Sequence, residues 1–125
     1  MENKKIILAI DDNQVDLNTF QGILTPRYIL RAAKAASEAI AFLNKNQADV
    51  ILLDIEMPNI DGFEFLHDIR RIPSYMKVPI IIVSSKTGDI FFNEARKSTA
   101  FDVITKPVIP EMLIETIERA AATGA

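Results

Sequence analysis

Five side chains, widely separated along the chain, are of the types that together could manage a phosphoryl group: Asp11, Asp12, Asp54, Ser84 and Lys106. Three carboxylates gathered at one place repel one another and raise each other's pKa unless a cation is present. A hard divalent ion is the natural remedy. Mg²⁺ prefers oxygen ligands, keeps several waters, and is typically held by one or two carboxylates plus a phosphate. A lysine adds a second positive charge for an anionic ligand. A carboxylate in such surroundings can act as a nucleophile and form an acyl phosphate. The neighbouring groups then position the reactants and neutralise the equatorial oxygens. No histidine general base is required, because a carboxylate attacks in its ionised form. The single histidine, His67, stands beside Asp68 and near Arg70 in a helical stretch and is expected to face solvent. Taken singly, each group has a plainer explanation. An Asp after a strand usually caps a helix or shapes a turn, Ser84 alone would cap a loop, and Lys106 alone would be a solvated charge. Chemistry is favoured only if all of them meet.

Whether they meet depends on the elements that carry them. Short runs rich in β-branched residues stand at Ile6–Ile10, Val50–Leu53, residues 80–83 and, more weakly, 103–104. The first three are apolar without alternation, which suits strands covered on both faces, as in a parallel sheet. Residues 28–32 suggest a further strand at an edge. Helical spacing lies between the runs. Val15, Phe20, Ile23 and Leu24 fit one face, as do Ala39, Ile40 and Leu43. Asp61 followed by Glu64 reads as a helix N-terminus leading into Phe65, Leu66 and Ile69. Residues 87–98 read as a helix blurred by Gly88, Phe91 and Phe92. Pro110 opens a last helix with Leu113, Ile114, Ile117 and Ala121 inward. The tail 120–125 is small and weakly structured. Repeated strand–helix alternation implies an α/β domain with a parallel sheet and right-handed crossovers. In such sheets ligands bind beyond the carboxyl ends of the strands. Asp11 and Asp12 follow the first strand, Asp54 the third, Ser84 and Ser85 the fourth, and Lys106 and Pro107 the fifth. All fall on one rim.

Composition narrows the alternatives. A chain of 125 residues is long enough for one sizeable core. A net charge of −3 with dispersed basic residues argues against nucleic acid and anionic membranes as direct partners. With no cysteine, disulfides and thiolate metal sites are excluded. The apolar runs are far too short to span a membrane, and the apolar start leads straight into Asp11 rather than a cleavage site. A cytoplasmic location is expected.

These residues resemble the receiver domain of bacterial two-component response regulators. The likeness runs from Ile6 to about Ala121. It rests on the Asp11–Asp12 pair, on Asp54, Met57, Pro58, Asp61 and Gly62 after the third strand, and on Ser84 and Lys106–Pro107 at the family's usual separations. It implies one receiver domain over residues 1–125, core about 5–121: a doubly wound α/β fold with five parallel strands in order 2-1-3-4-5 flanked by five helices. By the same resemblance Asp54 is the phosphoacceptor. Asp12, Asp54 and the backbone carbonyl of Glu56 hold Mg²⁺, with Asp11 acting mainly through a metal-bound water. Lys106, ahead of a cis peptide to Pro107, pairs with phosphoryl oxygens. Ser84 moves to bond the phosphoryl group, and Ser85 is the small neighbour that leaves the site open. Glu56 and Lys86 occupy the variable places that tune dephosphorylation, and an ion pair between them over the site is expected.

The implied partners are a histidine kinase or histidine phosphotransfer domain, docking on Asn13, Gln14, Asp16, Leu17, Val108 and Ile109. A homodimer or effector would meet the face made by the fourth helix, fifth strand and fifth helix. Phe91 and Phe92 are not expected to share one interior, so one of them is a candidate for exposure there. Core packing is the leading reading for either singly. The implied protein promotes its own phosphorylation and dephosphorylation and is not a turnover enzyme. Two positions depart from the family. Val103 stands where an aromatic residue is usual, and Thr99 replaces a common glycine; both bear on output, neither on phosphotransfer. The alternative of a receiver-like interaction module that works without phosphorylation is disfavoured, because such modules generally lose an acidic or lysine position. A Mg²⁺-dependent phosphatase with an aspartyl nucleophile shares the ingredients but places them as Asp-x-Asp on the first strand, which this chain lacks.

Overall fold

The computed structural model describes residues 4–123. Its five strands are β1 (Ile6–Ile10), β2 (Ile29–Ala33), β3 (Val50–Leu53), β4 (Ile80–Ser84) and β5 (Asp102–Thr105). They form one parallel sheet in the order β2-β1-β3-β4-β5. The helices are α1 (Gln14–Leu24), α2 (Ala36–Lys45), α3 (Gly62–Arg70), α4 (Asp89–Lys97) and α5 (Pro110–Thr123), with a 3-10 turn at Pro73–Tyr75. Among these described residues no helix is long and apolar enough to cross a membrane.

The continuous apolar runs find their explanation in two separate cores. Successive residues of a strand point to opposite faces. Leu8, Ile10, Ile51, Leu53, Ile80 and Ile82 therefore pack on one side, in the layer completed by α2, α3 and α4. Ile7, Ala9, Val50, Leu52, Ile81 and Val83 fill the other side, beneath α1 and α5. Every residue of β3 is buried, as a central strand with two covered faces requires. The edge strand β2 is half exposed, and lies one residue later than its apolar pattern suggests.

Several local expectations fail for identifiable reasons. On α1 the inward stripe is Leu17, Phe20 and Leu24, while Val15 is 70% exposed. The spacing three and seven from Leu17 follows the helical period; the β-branched residue at the start of the helix lies off that stripe. Leu17, expected on a docking surface, is a core residue. Phe91 is buried and Phe92 half-buried, their rings 5.2 Å apart and tilted. Both pack against the same core, so the expectation that they cannot share one interior fails and core packing holds for each. The exposed apolar residue of that helix is Ile90. Helix α5 continues to Thr123, so most of the tail taken as weakly structured is helical, and residues 124–125 lie outside the described part. His67 is solvent-exposed, as its polar neighbours suggest.

Thr99 also acquires a structural role. The guanidinium of Arg70, at the end of α3, donates from Nε to the Thr99 hydroxyl and from Nη2 to the Thr99 carbonyl, both at 2.8 Å. Its Nη1 donates to the carbonyls of Tyr75, at 3.2 Å, and Val78. A planar fork of donors suits this multiple recognition, and it ties the turn before β5 to the segment leading into β4. A glycine at position 99 would supply the carbonyl but no hydroxyl.

The reassignment of α1 is directly measurable. Leu17→Ala should cost roughly 2–4 kcal/mol in urea unfolding, as truncation of a packed core leucine does. Val15→Ala should stay within about 0.5 kcal/mol, the range for exposed positions. Equal losses would contradict the assigned face.

Candidate functional site

The rim beyond the carboxyl ends of the strands is assembled by register. Ile10 lies opposite Leu53 in the β1–β3 ladder, and Asp54 N–H donates to the Ile10 carbonyl at 2.9 Å, so Asp11 and Asp54 leave the sheet side by side. Ser84 pairs with Thr105 across β4–β5, and Lys106 N–H donates to the Ser84 carbonyl at 2.9 Å. One carboxylate oxygen each of Asp11, Asp12 and Asp54 lies within 4.8 Å of the other two. Asp11 and Asp54 are buried and Asp12 is exposed.

Lys106 reaches across this cluster. Its Nζ is 2.9 Å from Asp11 Oδ2, 2.8 Å from Asp16 Oδ2 and 3.4 Å from Asp54 Oδ2. Among the described residues no ion pair reaches Asp12. Burial works against the Lys106 charge, but hydrogen bonds to Asp11 and Asp16 and the charge of Asp54 outweigh it and raise its pKa. Asp54 is raised as well. Desolvation is the largest cause, opposed by the Glu56 backbone N–H and by Lys106, and reinforced by the charge on Asp11. Ionised Asp54 is thus held at a cost that a nearby cation would relieve.

The loop from Asp54 to Gly62 is shaped by local constraints. Glu56 N–H donates to Asp54 Oδ1 at 2.8 Å. Asn59 takes φ +64, a left-handed conformation that asparagine tolerates better than most residues. Asp61 caps α3 by accepting from the Phe63 and Glu64 backbone N–H groups. Gly62 lies so close to Ile55 that a Cβ there would fall 2.6 Å from the Ile55 backbone. Only glycine lets this loop fold back under the acidic cluster.

The hydroxyl side of the rim differs from expectation. Glu56 and Lys86 form no ion pair. Instead Glu56 Oε1 accepts from Ser84 Oγ at 2.9 Å and from Ser85 Oγ at 2.8 Å. The Ser85 hydrogen bond, ahead of that from Ser84, holds the Glu56 carboxyl below the usual range against a desolvation that would raise it. Lys86 acts on this carboxylate only through its charge, a lesser effect than the serine hydrogen bonds. Lys86 contributes its backbone N–H, which donates to Ser84 Oγ at 3.0 Å. The Lys106–Pro107 peptide is cis. Asp11, Asp12, Asp54 and Lys106 therefore converge, with Ser84, Ser85 and Glu56 as a bonded group beside them. The residue that sequence reasoning missed at the site is Asp16, read only as a surface position. Its signal was available: the first turn of a helix starting just after Asp11 and Asp12 must project over the same rim.

A family model described as the response regulator receiver domain matches residues 7–118. The chain belongs to the receiver-domain family. It is 37% identical over 130 residues to protein-glutamate methylesterase/protein-glutamine glutaminase 4 of Anaeromyxobacter dehalogenans, covering 94% of this chain and 36% of that protein. It is 32% identical to the sensor histidine kinase CheAY of Helicobacter pylori, over 92% of this chain but 15% of the kinase. The receiver thus spans about a third or less of these two relatives. Protein PilH of Pseudomonas aeruginosa, at 27% identity, is covered over 97% of its length. Among solved structures, chemotaxis protein CheY4 of Vibrio cholerae superposes with TM-score 0.85 at 28% identity, over 94% of this chain and 99% of that one. A CheY-like receiver domain from Methanospirillum hungatei gives TM-score 0.87 at 25% identity, over 98% and 97%. Receiver domains of this kind serve two-component signalling and bind Mg²⁺ through an acidic pocket.

The charge distribution makes a stability test possible. Because the folded pKa of Asp54 lies above the ordinary value of about 3.9, its contribution to stability is greatest in acid. That contribution declines as pH rises through the folded pKa. At pH 7 without divalent ions, Asp12→Asn removes one of three carboxylates lying within 4.8 Å of one another and should raise stability by up to about 1 kcal/mol, the scale of an exposed charge interaction. Millimolar Mg²⁺ should raise the melting temperature of the wild-type chain and leave that of Asp12→Asn nearly unchanged. Equal Mg²⁺ responses in thermal melts would show that Asp12 takes no part in binding the ion.

Proposed function

We propose that this receiver takes a phosphoryl group from a phosphohistidine donor onto Asp54, in a Mg²⁺-dependent reaction, and signals through the change that follows at its surface. The observation that carries this reading is the shared position of Asp54, Asp12 and the Lys106 ammonium at one open rim. Asp12, Asp54 and the Glu56 backbone carbonyl would hold the ion, with Asp11 placed to bond one of its waters. When bound, Mg²⁺ neutralises charge on the phosphoryl oxygens and on the carboxylates around them.

The chain's own groups do the rest. An ionised Asp54 oxygen attacks phosphorus, the P–N bond to the donor imidazole breaks, and that imidazole leaves with the bonding electron pair and takes a proton. Lys106, held by Asp11 and Asp16, keeps a positive charge beside the oxygens that gain negative character. Attack of water on the acyl phosphate later returns Asp54 and releases inorganic phosphate. The protein thereby promotes its own modification and its reversal, and turns over no external substrate. The donor, a histidine kinase or histidine phosphotransfer domain, would dock where Asn13, Gln14 and Ile109 are exposed. We take residues 1–125 as one receiver unit acting in the cytoplasm, with an effector or second copy meeting the α4–β5–α5 face. Completeness of the acidic and lysine set argues against a module that works unphosphorylated.

Incubation with Mg²⁺ and a small phosphodonor such as acetyl phosphate should add one phosphoryl mass to the wild type. No addition should occur to Asp54→Ala or to the wild type in chelator. Intact-mass spectrometry reads the result, and an adduct that persists in Asp54→Ala would assign the acceptor elsewhere.

A further inference from the structure

Ser84 is fully buried, and its hydroxyl carries a single hydrogen. That hydrogen is already committed, to Glu56 Oε1 at 2.9 Å. The same carboxylate oxygen takes the Ser85 hydroxyl at 2.8 Å. The residue that binds both serines also grips the acceptor from the other side, since Glu56 N–H donates to Asp54 Oδ1 at 2.8 Å. Glu56 is thus a bridge: its main chain holds Asp54 and its side chain holds the serines at the end of β4.

We propose that Glu56 is a latch, fixing Ser84 and Ser85 in the unphosphorylated arrangement and having to release them before Ser84 can bond a phosphoryl oxygen. The proposal rests on the phosphoacceptor function given above and concerns its regulation. One hydrogen cannot serve two acceptors at full strength, so the carboxylate and a phosphoryl group on Asp54 compete for it. A phosphoryl group would also place further negative charge beside a carboxylate already fixed by its own backbone bond to that aspartate. Both effects oppose simultaneous occupancy. Glu56 is solvent-exposed, so on release its oxygens exchange hydroxyl donors for water, and hydrogen bonds lost in this way cost far less than buried ones. The latch is therefore weak enough to open and strong enough to set the resting state. Part of the free energy of phosphorylation is spent on opening it.

Two measurements test this. The first needs no ligand. Lys86 N–H donates to Ser84 Oγ at 3.0 Å, so its amide resonance reports where that hydroxyl sits. In Mg²⁺-free solution, Glu56→Ala should move the Lys86 amide signal towards the position that the wild type reaches only with Mg²⁺ and beryllofluoride, a phosphoryl mimic. An unmoved signal would overturn the latch. The second is a double-mutant cycle on beryllofluoride affinity at saturating Mg²⁺. Glu56→Ala should tighten binding about five- to tenfold, the scale of a charge-assisted hydrogen bond at a partly solvated site. In a Ser84→Ala background, its fold checked by melting, the same substitution should give a clearly smaller gain, because only the relief of charge repulsion is left. A gain as large there as in the wild-type background would assign the effect to charge repulsion alone and overturn the latch. Wild type that binds the mimic with an affinity equal to that of Glu56→Ala would overturn the latch while leaving the phosphoacceptor reading standing. Wild type that fails to bind it would overturn both.

Discussion

The register of β1 against β3 governs what this molecule can do. Ile10 opposite Leu53 places the next residue of each strand, Asp11 and Asp54, at one level beyond the sheet. A slip of a single residue would turn each apolar set to the wrong face, exchanging the Leu8–Ile51–Ile80 layer for the Ile7–Val50–Ile81 layer. The demand for two filled cores is therefore what fixes the acidic cluster. The carboxylates do not draw themselves together; they are delivered by packing elsewhere, and their repulsion is imposed on the fold.

Lys106 is the answer that the chain itself provides to that repulsion. It leaves β5 one residue past Thr105 and reaches Asp11, Asp16 and Asp54 at once. A single ammonium among three carboxylates leaves the site short of positive charge. Asp54 remains raised despite Lys106, because burial is the larger effect. Such a site is tuned for a further cation rather than for stability, and the neighbouring packing has to support it. Gly62 against Ile55 and the Asp61 cap on α3 are parts of that support.

Much of this was readable from residues, and the limits of the reading have physical causes. Strands β1 and β3 were recoverable to the residue, because uninterrupted apolar runs bounded by Asp have few other meanings in a parallel sheet. The edge strand β2 shifted, since only one of its faces is strongly constrained. On α1 a stripe drawn through Val15 competed with one drawn through Leu17, and both approximate a helical period; contacts with the sheet decide between them. The site residues were legible because position after a strand fixes their place. Their partners were not. Whether Glu56 bonds Lys86 or the two serines depends on side-chain reach over a loop, and Asp16 joins Lys106 only because α1 begins immediately beyond the acidic pair. Thr99 read as a mere departure from a family glycine, whereas its hydroxyl completes the Arg70 clamp.

Val103 bears on how a change at Ser84 can travel. In the sheet it pairs with Ile82, two residues before Ser84, and it is half-buried against the core shared with Phe92. A valine has one side-chain torsion and no ring to swing inward, so it cannot follow a displaced hydroxyl as an aromatic residue could. Beside it lies a cleft lined by Phe92, Ala95, Phe101 and Asp102, so the space next to β5 is left open rather than filled. The direct covalent route from Ser84 runs instead along the exposed turn to α4, through Ser85 and Lys86 to Gly88 at φ +106. That turn is joined to the acceptor loop by the Glu56 hydrogen bonds and enters α4 without a side-chain cap. Any movement at the hydroxyls would therefore reach the start of α4 through the main chain, at an end of that helix that carries no side-chain cap.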